Sequence, residues 1–182
     1  MKVLVACEYS GIVRDAFTAR GHDAWSADLL PTESPGNHYQ GDVRDILNFG
    51  WDLMVAHPPC QYVSYAGNRW LKQPGRMEKM QEALDFFREL LNAPVPMIAI
   101  ENPRGYTWKY IRKPDQVFHP YHFGHPMTKA TCLWLKELPP LMYTLIHPDP
   151  FVNWTKYKGS HNSKARAKTF TGVASAMATQ WG

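Results

Sequence analysis

A cysteine on a stiff turn is the first feature of this sequence that could carry out chemistry. Cys60 follows two prolines, Pro58 and Pro59, and the apolar run DLMVA lies shortly before them. Prolines set the backbone angle φ and remove amide donors, so this turn is rigid and is not helical. A thiolate is a strong nucleophile, and a cysteine held at the end of a strand is well placed to attack. Free cysteine is also a common small core residue, so the neighbours of Cys60 decide between the two interpretations.

Other polar side chains also stand where apolar runs end. They are Glu8 and Ser10 after KVLVA, Asp28 after DAWSA and Glu101 after PMIAI. In open α/β sheets, ligands bind beyond the carboxyl ends of the strands. We therefore expect these side chains and Cys60 to line one cleft. A lone carboxylate at a strand end is more often part of a salt bridge or a loop cap, and it is the nearby thiol that favours a catalytic role for Glu101.

Strands alternate with helices along the chain. The helical spacing of apolar residues predicts a helix at residues 12–20, an amphipathic helix at 76–92 and a terminal helix in GVASAMATQW. Short apolar, β-branched runs predict strands in KVLVA, DAWSADLL, WDLMVAH, PMIAIEN and ATCLWL. This order predicts an α/β fold with a mostly parallel sheet and helices on both of its faces.

Length and composition predict one globular domain, residues 1–182. The chain is 45% hydrophobic, with a formal net charge of +4 and three widely spaced cysteines. We expect reduced thiols and no metal site, because proline and glycine interrupt the spacing of His119, His122 and His125. No apolar run is long enough for a signal peptide or a membrane span, so we expect a cytoplasmic protein.

Several motifs resemble those of the DNA cytosine-5 methyltransferase family. DLMVAHPPCQYVSYAGNR resembles the family's catalytic Pro-Cys-Gln motif, IAIENPRG its Glu-Asn motif and GDVRDI its Gly-Asp cofactor motif. EYSGIVRDAFTARGHDAWSADLLP is similar to the first cofactor motif and the acidic end of the second strand. YHFGHPMTKATCLWL and GVASAMATQW are more distantly similar to the Gly-x-Pro strand and the final helix. The motifs occur in the family's order and span nearly the whole chain.

The resemblance implies a Rossmann-like S-adenosylmethionine-dependent methyltransferase fold and methyl transfer to C5 of cytosine in DNA. Cys60 would add to C6 of the ring as a thiolate, which makes C5 nucleophilic. Glu101 would donate a hydrogen bond to N3 and the exocyclic edge of the ring, and Asn102 would hold the turn beside it. The residues implied for binding S-adenosylmethionine are Glu8, Ser10, Gly11, Asp28, Asp42 and Pro58.

The implied cofactor residues have simpler explanations as well. Gly11 would let the backbone approach the cofactor, Asp28 would accept its ribose hydroxyls and Asp42 its adenine amino group. Alternatively, Gly11 is a plain turn, Asp28 a solvated charge and Asp42 the N-cap of a short helix in VRDIL. Val13 and Arg14 stand where the family has further glycines, so the first motif departs from the family's pattern.

The implied partner is DNA. The residues that would contact it are Gln61, Ser64, Arg69, Lys129, Lys164 and Arg166. A short, basic, irregular segment at 136–168 stands where the family has a large target-recognition domain. We therefore expect little sequence preference, or a protein partner or homodimer that supplies specificity. The basic run is equally consistent with a solvated loop.

Two other functions remain open at this point. The short recognition region favours a thiolate-dependent enzyme that modifies a pyrimidine in single-stranded nucleic acid or in a nucleotide. The altered glycine motif favours an inactive relative that binds nucleic acid or protein, although the presence of Cys60 and Glu101 speaks against it.

Overall fold

A seven-stranded sheet forms the centre of the molecule. The computed structural model describes residues 1–149, 152–153 and 167–182. In chain order the strands of the sheet are β1 (Lys2–Ala6), β2 (Asp23–Asp28), β3 (His38–Gln40), β4 (Leu53–Ala56), β5 (Met97–Pro103), β6 (Gln116–Phe118) and β8 (Thr131–Lys136). Two further short strands, β7 (Met127–Thr128) and β9 (Val152–Asn153), pair with each other.

The spatial order of the large sheet is β3-β2-β1-β4-β5-β8-β6. Its first five strands are parallel, and β8 runs antiparallel between β5 and β6. From β1 the chain first builds outward through β2 and β3, and then returns to place β4 on the other side of β1. Such a reversal of strand order leaves a crevice at the carboxyl ends of the strands, where ligands bind in open α/β sheets. The predicted α/β, Rossmann-like fold is confirmed.

Successive side chains of a strand point to opposite faces of the sheet, and helices cover both faces. On one face, Val3 and Val5 of β1 pack with α1 (Ile12–Thr18) and with a C-terminal helix, α4 (Thr171–Trp181). On the other face, Leu4 of β1 packs with α2 (Arg76–Leu91). The remaining described helix, α3 (Tyr106–Tyr110), is short and follows β5. Within the described residues, none of the helices is both long and apolar enough to cross a membrane.

Some details differ from the sequence-based expectations. The predicted strand DAWSADLL ends at Asp28, and Leu29 and Leu30 are exposed in the loop that follows. Met77, which the helical pattern places on the apolar face of α2, is half exposed because it lies in the first turn, before the helix reaches the core. Of the basic segment 136–168, the structure describes residues 136–149, 152–153 and 167–168.

Candidate active site

Cys60 lies on an exposed turn just beyond the end of β4. Its backbone carbonyl accepts hydrogen bonds from the amides of Val63 and Ser64, at 3.2 and 2.8 Å. These bonds close the turn and fix the backbone that carries the thiol. Pro58, two residues earlier, is buried under the turn. The thiol therefore stands at the surface on a backbone that is held from below, as a nucleophile requires.

Two contacts tie this turn to the end of β5. Asn102 is buried, and its Nδ2 donates a hydrogen bond of 2.9 Å to the carbonyl of Pro58. His57 Nδ1 lies 3.4 Å from Oε2 of Glu101. Adjacent parallel strands bring their carboxyl ends to the same edge, and here β4 pairs directly with β5. The Cys60 turn and the Glu101 carboxylate thus belong to one joined structure.

The environment of Glu101 favours its charged form. The Glu101 side chain is 21% exposed and the His57 side chain 7% exposed. Burial alone raises the pKa of Glu101, but the hydrogen bond with His57 and the positive charge of Lys129 outweigh it. The net effect is a pKa below the ordinary value of 4.5. At neutral pH Glu101 is therefore a carboxylate, a hydrogen-bond acceptor, unless a bound group changes its surroundings.

A small cavity lies beside Glu101. Its volume is about 20 Å³, enough for one water-sized group. Lys129 Nζ lies at its wall, 5.8 Å from the centre of the Phe170 ring. The other lining residues are Phe118, Thr131, Ala167, Lys168, Thr169 and Val173. The sequence between β8 and α4 thus returns to the candidate site just before α4 begins.

Glu8, at the end of β1, caps helix α1. Its carboxylate accepts hydrogen bonds from the amides of Val13 and Arg14, at 2.7 and 3.2 Å, and from the Ser10 hydroxyl at 3.0 Å. Gly11 has a φ of +76°, a left-handed conformation that side chains rarely adopt. The positive end of this helix is therefore neutralised by Glu8, and no amide of Val13 or Arg14 is left for an anionic ligand.

Arg14, one of the two residues at which the first motif departs from the glycine pattern, has a structural role. Its side chain is fully buried. The guanidinium donates hydrogen bonds to Ser26 and Thr32 and to the carbonyls of Ser34 and Pro35. Arg14 thus holds the loop after β2 against the start of α1.

Two carboxylates, Asp28 at the end of β2 and Asp42 just after β3, act on the Cys7 thiol that follows β1. Burial, with the negative charges of Asp28 and Asp42, raises the pKa of the Cys7 thiol to about 12. Asp28 Oδ1 accepts a hydrogen bond from the amide of Leu30 at 2.9 Å. Asp42 is the N-cap of a 3-10 helix at Val43–Ile46, as its simpler explanation predicts. Both carboxylates accept hydrogen bonds, which suits the hydroxyl and amino donors of an adenosine group.

The predicted nucleic-acid residues fall into three places. Gln61 and Arg69 are exposed near Cys60, and Ser64 caps the 3-10 helix at Tyr65–Trp70 by accepting a bond from Ala66. Lys129 lies beside Glu101 instead, and its charge acts on that carboxylate. The remaining two, Lys164 and Arg166, lie outside the described residues.

The three histidines of the loop before β8 have roles in holding that loop. The amide of His119 donates to Nδ1 of His122 at 3.1 Å, within a capping box around Pro120–His122. His125 Nε2 accepts a hydrogen bond from the amide of Gly172 at 3.0 Å. Burial lowers the pKa of all three. These contacts connect the loop internally and to the start of α4.

Sequence reasoning missed two residues that shape the site. His57 stands inside the quoted motif, and a titratable residue at a strand end is itself a signal of a site. Arg14 lies between Val13 and Phe17 on a helix, a position that points toward the core. The sequence marks Arg14 only as a departure from the glycine pattern and does not predict its burial.

Comparison with known proteins finds many similar solved structures, of which two are described here. No protein-family model matches the chain, and no curated protein sequence matches it. One similar structure is described as a DNA modification methyltransferase encoded within a prophage of E. coli, with 14% identity, a TM-score of 0.49 and coverage of 80% of this chain and 51% of that one. The other is S. pombe Dnmt2 methyltransferase, with 20% identity, a TM-score of 0.49 and coverage of 73% and 49%. The chain spans about half the length of each. Similarities of this size carry no information about activity.

Proposed function

We propose that this chain is a DNA cytosine-5 methyltransferase that uses S-adenosylmethionine and forms a covalent adduct through Cys60. The observation that carries the proposal is the joined structure at the ends of β4 and β5. There an exposed thiol on a fixed turn is tied to an acid by the contacts His57–Glu101 and Asn102–Pro58. A nucleophile and an acid at one strand edge are the groups that addition to a pyrimidine ring requires.

The roles of the two groups follow from their chemistry. The Cys60 thiolate adds to C6 of cytosine, N3 takes a proton, and electron density moves to C5. C5 then forms a bond to the methyl group as the methyl–sulfur bond of the donor would break. The C5 hydrogen leaves as a proton to a base, the thiolate departs as the C5–C6 double bond returns, and N3 gives its proton back. Glu101 faces the ring's polar edge: as a carboxylate it accepts from the exocyclic amino group, and a ring that covers it raises its pKa, so that it can deliver the proton to N3.

S-Adenosylmethionine supplies the methyl group in this reaction. Asp28 and Asp42 are the residues that would hold its adenosine part, since both are acceptors and both lie close enough to Cys7 to raise the pKa of that thiol. Gly11 would allow close approach at the turn into α1. Glu8 and Ser10 would act indirectly, by fixing that turn through the contacts with α1. Pro58 would support the same edge from below Cys60.

Covalent trapping tests the proposal. DNA that carries 5-fluorocytosine should form a stable protein adduct only when S-adenosylmethionine is present, because fluorine cannot leave C5 as a cation. Cys60→Ala should form no adduct, and Glu101→Gln should slow adduct formation by about a hundredfold. DNA with ordinary cytosine is the control, since it should turn over and be released. Modification of free deoxycytidine nucleotide without modification of DNA would contradict the proposal.

A further inference from the structure

Six aromatic side chains lie on the two segments that follow Cys60 and Glu101. They are Tyr62, Tyr65 and Trp70 after β4, and Tyr106, Trp108 and Tyr110 after β5. We call residues 62–79 and 104–110 together the aromatic face. Tyr65, Trp70 and Tyr110 are 44%, 43% and 43% exposed. Large rings are usually buried, so a cluster of exposed rings beside a candidate site indicates a ligand that contacts them.

The two segments form one surface. The amide of Tyr106 donates to the carbonyl of Val63 at 2.6 Å, and the amide of Tyr65 donates to the carbonyl of Arg104 at 3.4 Å. The rings of Tyr65 and Tyr106 meet edge to face, with centroids 5.2 Å apart. Gly105 permits this approach, because a Cβ there would lie 2.0 Å from the Val63 carbonyl oxygen. Tyr65 is therefore held against Tyr106, and Tyr106 in turn stacks on Tyr110 with ring centroids 5.9 Å apart.

Positive charges accompany these rings. The aromatic face contains six Lys or Arg residues and a single acidic residue, Glu78. Several of the cations lie over ring faces at 4.4 to 5.1 Å from the centroids: Arg69 over Trp70, Arg76 over Tyr62, Arg104 over Trp108 and Lys109 over Tyr110. Rings that stack on bases, combined with cations that attract phosphates, are the chemistry with which proteins bind single strands.

We propose that the aromatic face binds a single-stranded nucleic acid and presents an unpaired pyrimidine to Cys60. Bases stack on Tyr65, Trp70 and Tyr110, while Arg69 and Lys109 contact the phosphates between them. The presentation to Cys60 rests on the proposed function, whereas the binding does not. The strand-binding surface includes residues 104–110 as well as the residues near Arg69.

A single strand fits this surface better than a duplex. Bases in a duplex are stacked on one another and offer only their edges in the grooves, so exposed rings have no base face to contact. Groove reading requires a helix or a ribbon that projects from the protein. Among the described residues the longest helix, α2, is instead packed on the sheet through Phe87 and Leu90.

Binding of a fluorescent 20-nucleotide thymidine strand, measured by anisotropy without any methyl donor, tests the aromatic face. Stacking on one aromatic side chain corresponds to about tenfold in affinity, so Trp70→Ala and Tyr110→Ala should each weaken binding by about that factor. Phe49→Ala is the matched control, because Phe49 is an exposed ring that precedes the opposite, amino end of β4. It should bind as the unchanged protein does. Equal affinities for Trp70→Ala and Phe49→Ala would overturn the proposal.

Salt dependence separates the cations from the rings. For single strands, the logarithm of the binding constant falls with the logarithm of salt by about 0.7 per phosphate contact. Arg69→Ala should reduce this slope by about 0.7, whereas Trp70→Ala should leave it unchanged. Arg20→Ala is the charge control, since Arg20 is exposed beyond the end of α1. A slope that Arg69→Ala leaves unaltered would contradict the assignment of Arg69 to phosphate.

The type of nucleic acid is the last variable to compare. Single-stranded DNA and single-stranded RNA of one sequence should each bind more tightly than the matching duplex, and the tighter of the two identifies the sugar that the surface accepts. Tighter binding of the duplex would overturn the inference. Adduct formation with duplex 5-fluorocytosine DNA in the absence of strand binding would leave the proposed function standing and remove only this inference. Strand binding without any adduct would leave this inference standing and contradict the proposed function.

Discussion

The three thiols of the chain have different surroundings and should differ in reactivity. Cys60 is exposed, whereas burial and neighbouring negative charges raise the pKa of Cys7 to about 12 and of Cys132 to about 11. Since the thiolate is the reactive form, iodoacetamide at pH 8 should label Cys60 alone in the folded protein. Peptide mass spectrometry measures this, and labelling in urea should modify all three thiols. Labelling of Cys132 as fast as Cys60 would show that the core around β8 is open.

The pair formed by His57 and Glu101 should make stability depend on pH. The pKa of Glu101 is lower in the folded protein than its ordinary value of 4.5, so the carboxylate stabilises the fold above that pH. This contribution is lost as pH falls through the folded-state pKa. Glu101→Gln should therefore lower the free energy of unfolding by about 1 kcal/mol at pH 7.

Urea unfolding between pH 3 and pH 7 checks this dependence. The difference between Glu101→Gln and the unchanged protein should be constant down to about pH 4.5, the ordinary value, and should shrink below it. His57→Gln is the companion variant, because it keeps Glu101 but removes its hydrogen-bond partner. A difference that grows as pH falls would mean that burial, rather than His57 and Lys129, controls Glu101.

At the scale of elements, the loop after β2 depends on one buried arginine. Arg14 reaches from α1 to four acceptors in β2 and the loop that follows it. Arg14→Met should lower the free energy of unfolding by about 3 kcal/mol, because buried acceptors lose a charged donor. Urea unfolding measures the loss, and Arg20→Met, at an exposed position, should change it little. An equal effect of both substitutions would show that the hydrogen bonds of Arg14 contribute nothing.

The elements that the sequence predicts are those with strong apolar patterns. β1, β4, β5 and β8 are buried runs, and α2 has a clear apolar face, so each is visible without any knowledge of its neighbours. β3 is a three-residue polar strand, His38–Gln40, whose partner β2 lies across a loop. Nothing local marks it, because its hydrogen bonds come from tertiary pairing.

The site follows the same rule. The clustering of Cys60, Glu101 and Asp28 at one sheet edge follows from strand direction alone, and so it can be predicted. The contact of His57 with Glu101 and the burial of Arg14 depend on pairing between distant segments. The aromatic face also depends on pairing between distant segments, since the bridge between Ser64 and Gly105 joins residues 41 positions apart.

At the scale of the whole molecule, the short segment between β8 and α4 bears on how the proposed enzyme would recognise its substrate. This segment comprises residues 137–170, and its described residues Ala167 to Phe170 line the cavity beside Glu101. Strict recognition of a site requires several base-edge contacts, each worth about 1–3 kcal/mol of discrimination. Stacking on rings tolerates every base. If the proposed function and the proposed strand binding hold, we expect the protein to hold a strand more than to select a sequence.

The proposed reaction should therefore show little sequence preference. On a pool of random-sequence oligonucleotides, methylation of cytosine should vary by less than about tenfold with the flanking bases, which corresponds to less than one good base contact. Bisulfite sequencing of the pool after limited reaction measures this variation, and a pool treated with Cys60→Ala is the blank. A single fixed motif with no reaction elsewhere would mean that base edges are read directly, which rings and phosphate contacts alone do not do. A motif that emerges only when a second protein is added would mean that this partner recognises the sequence, while the aromatic face holds the strand.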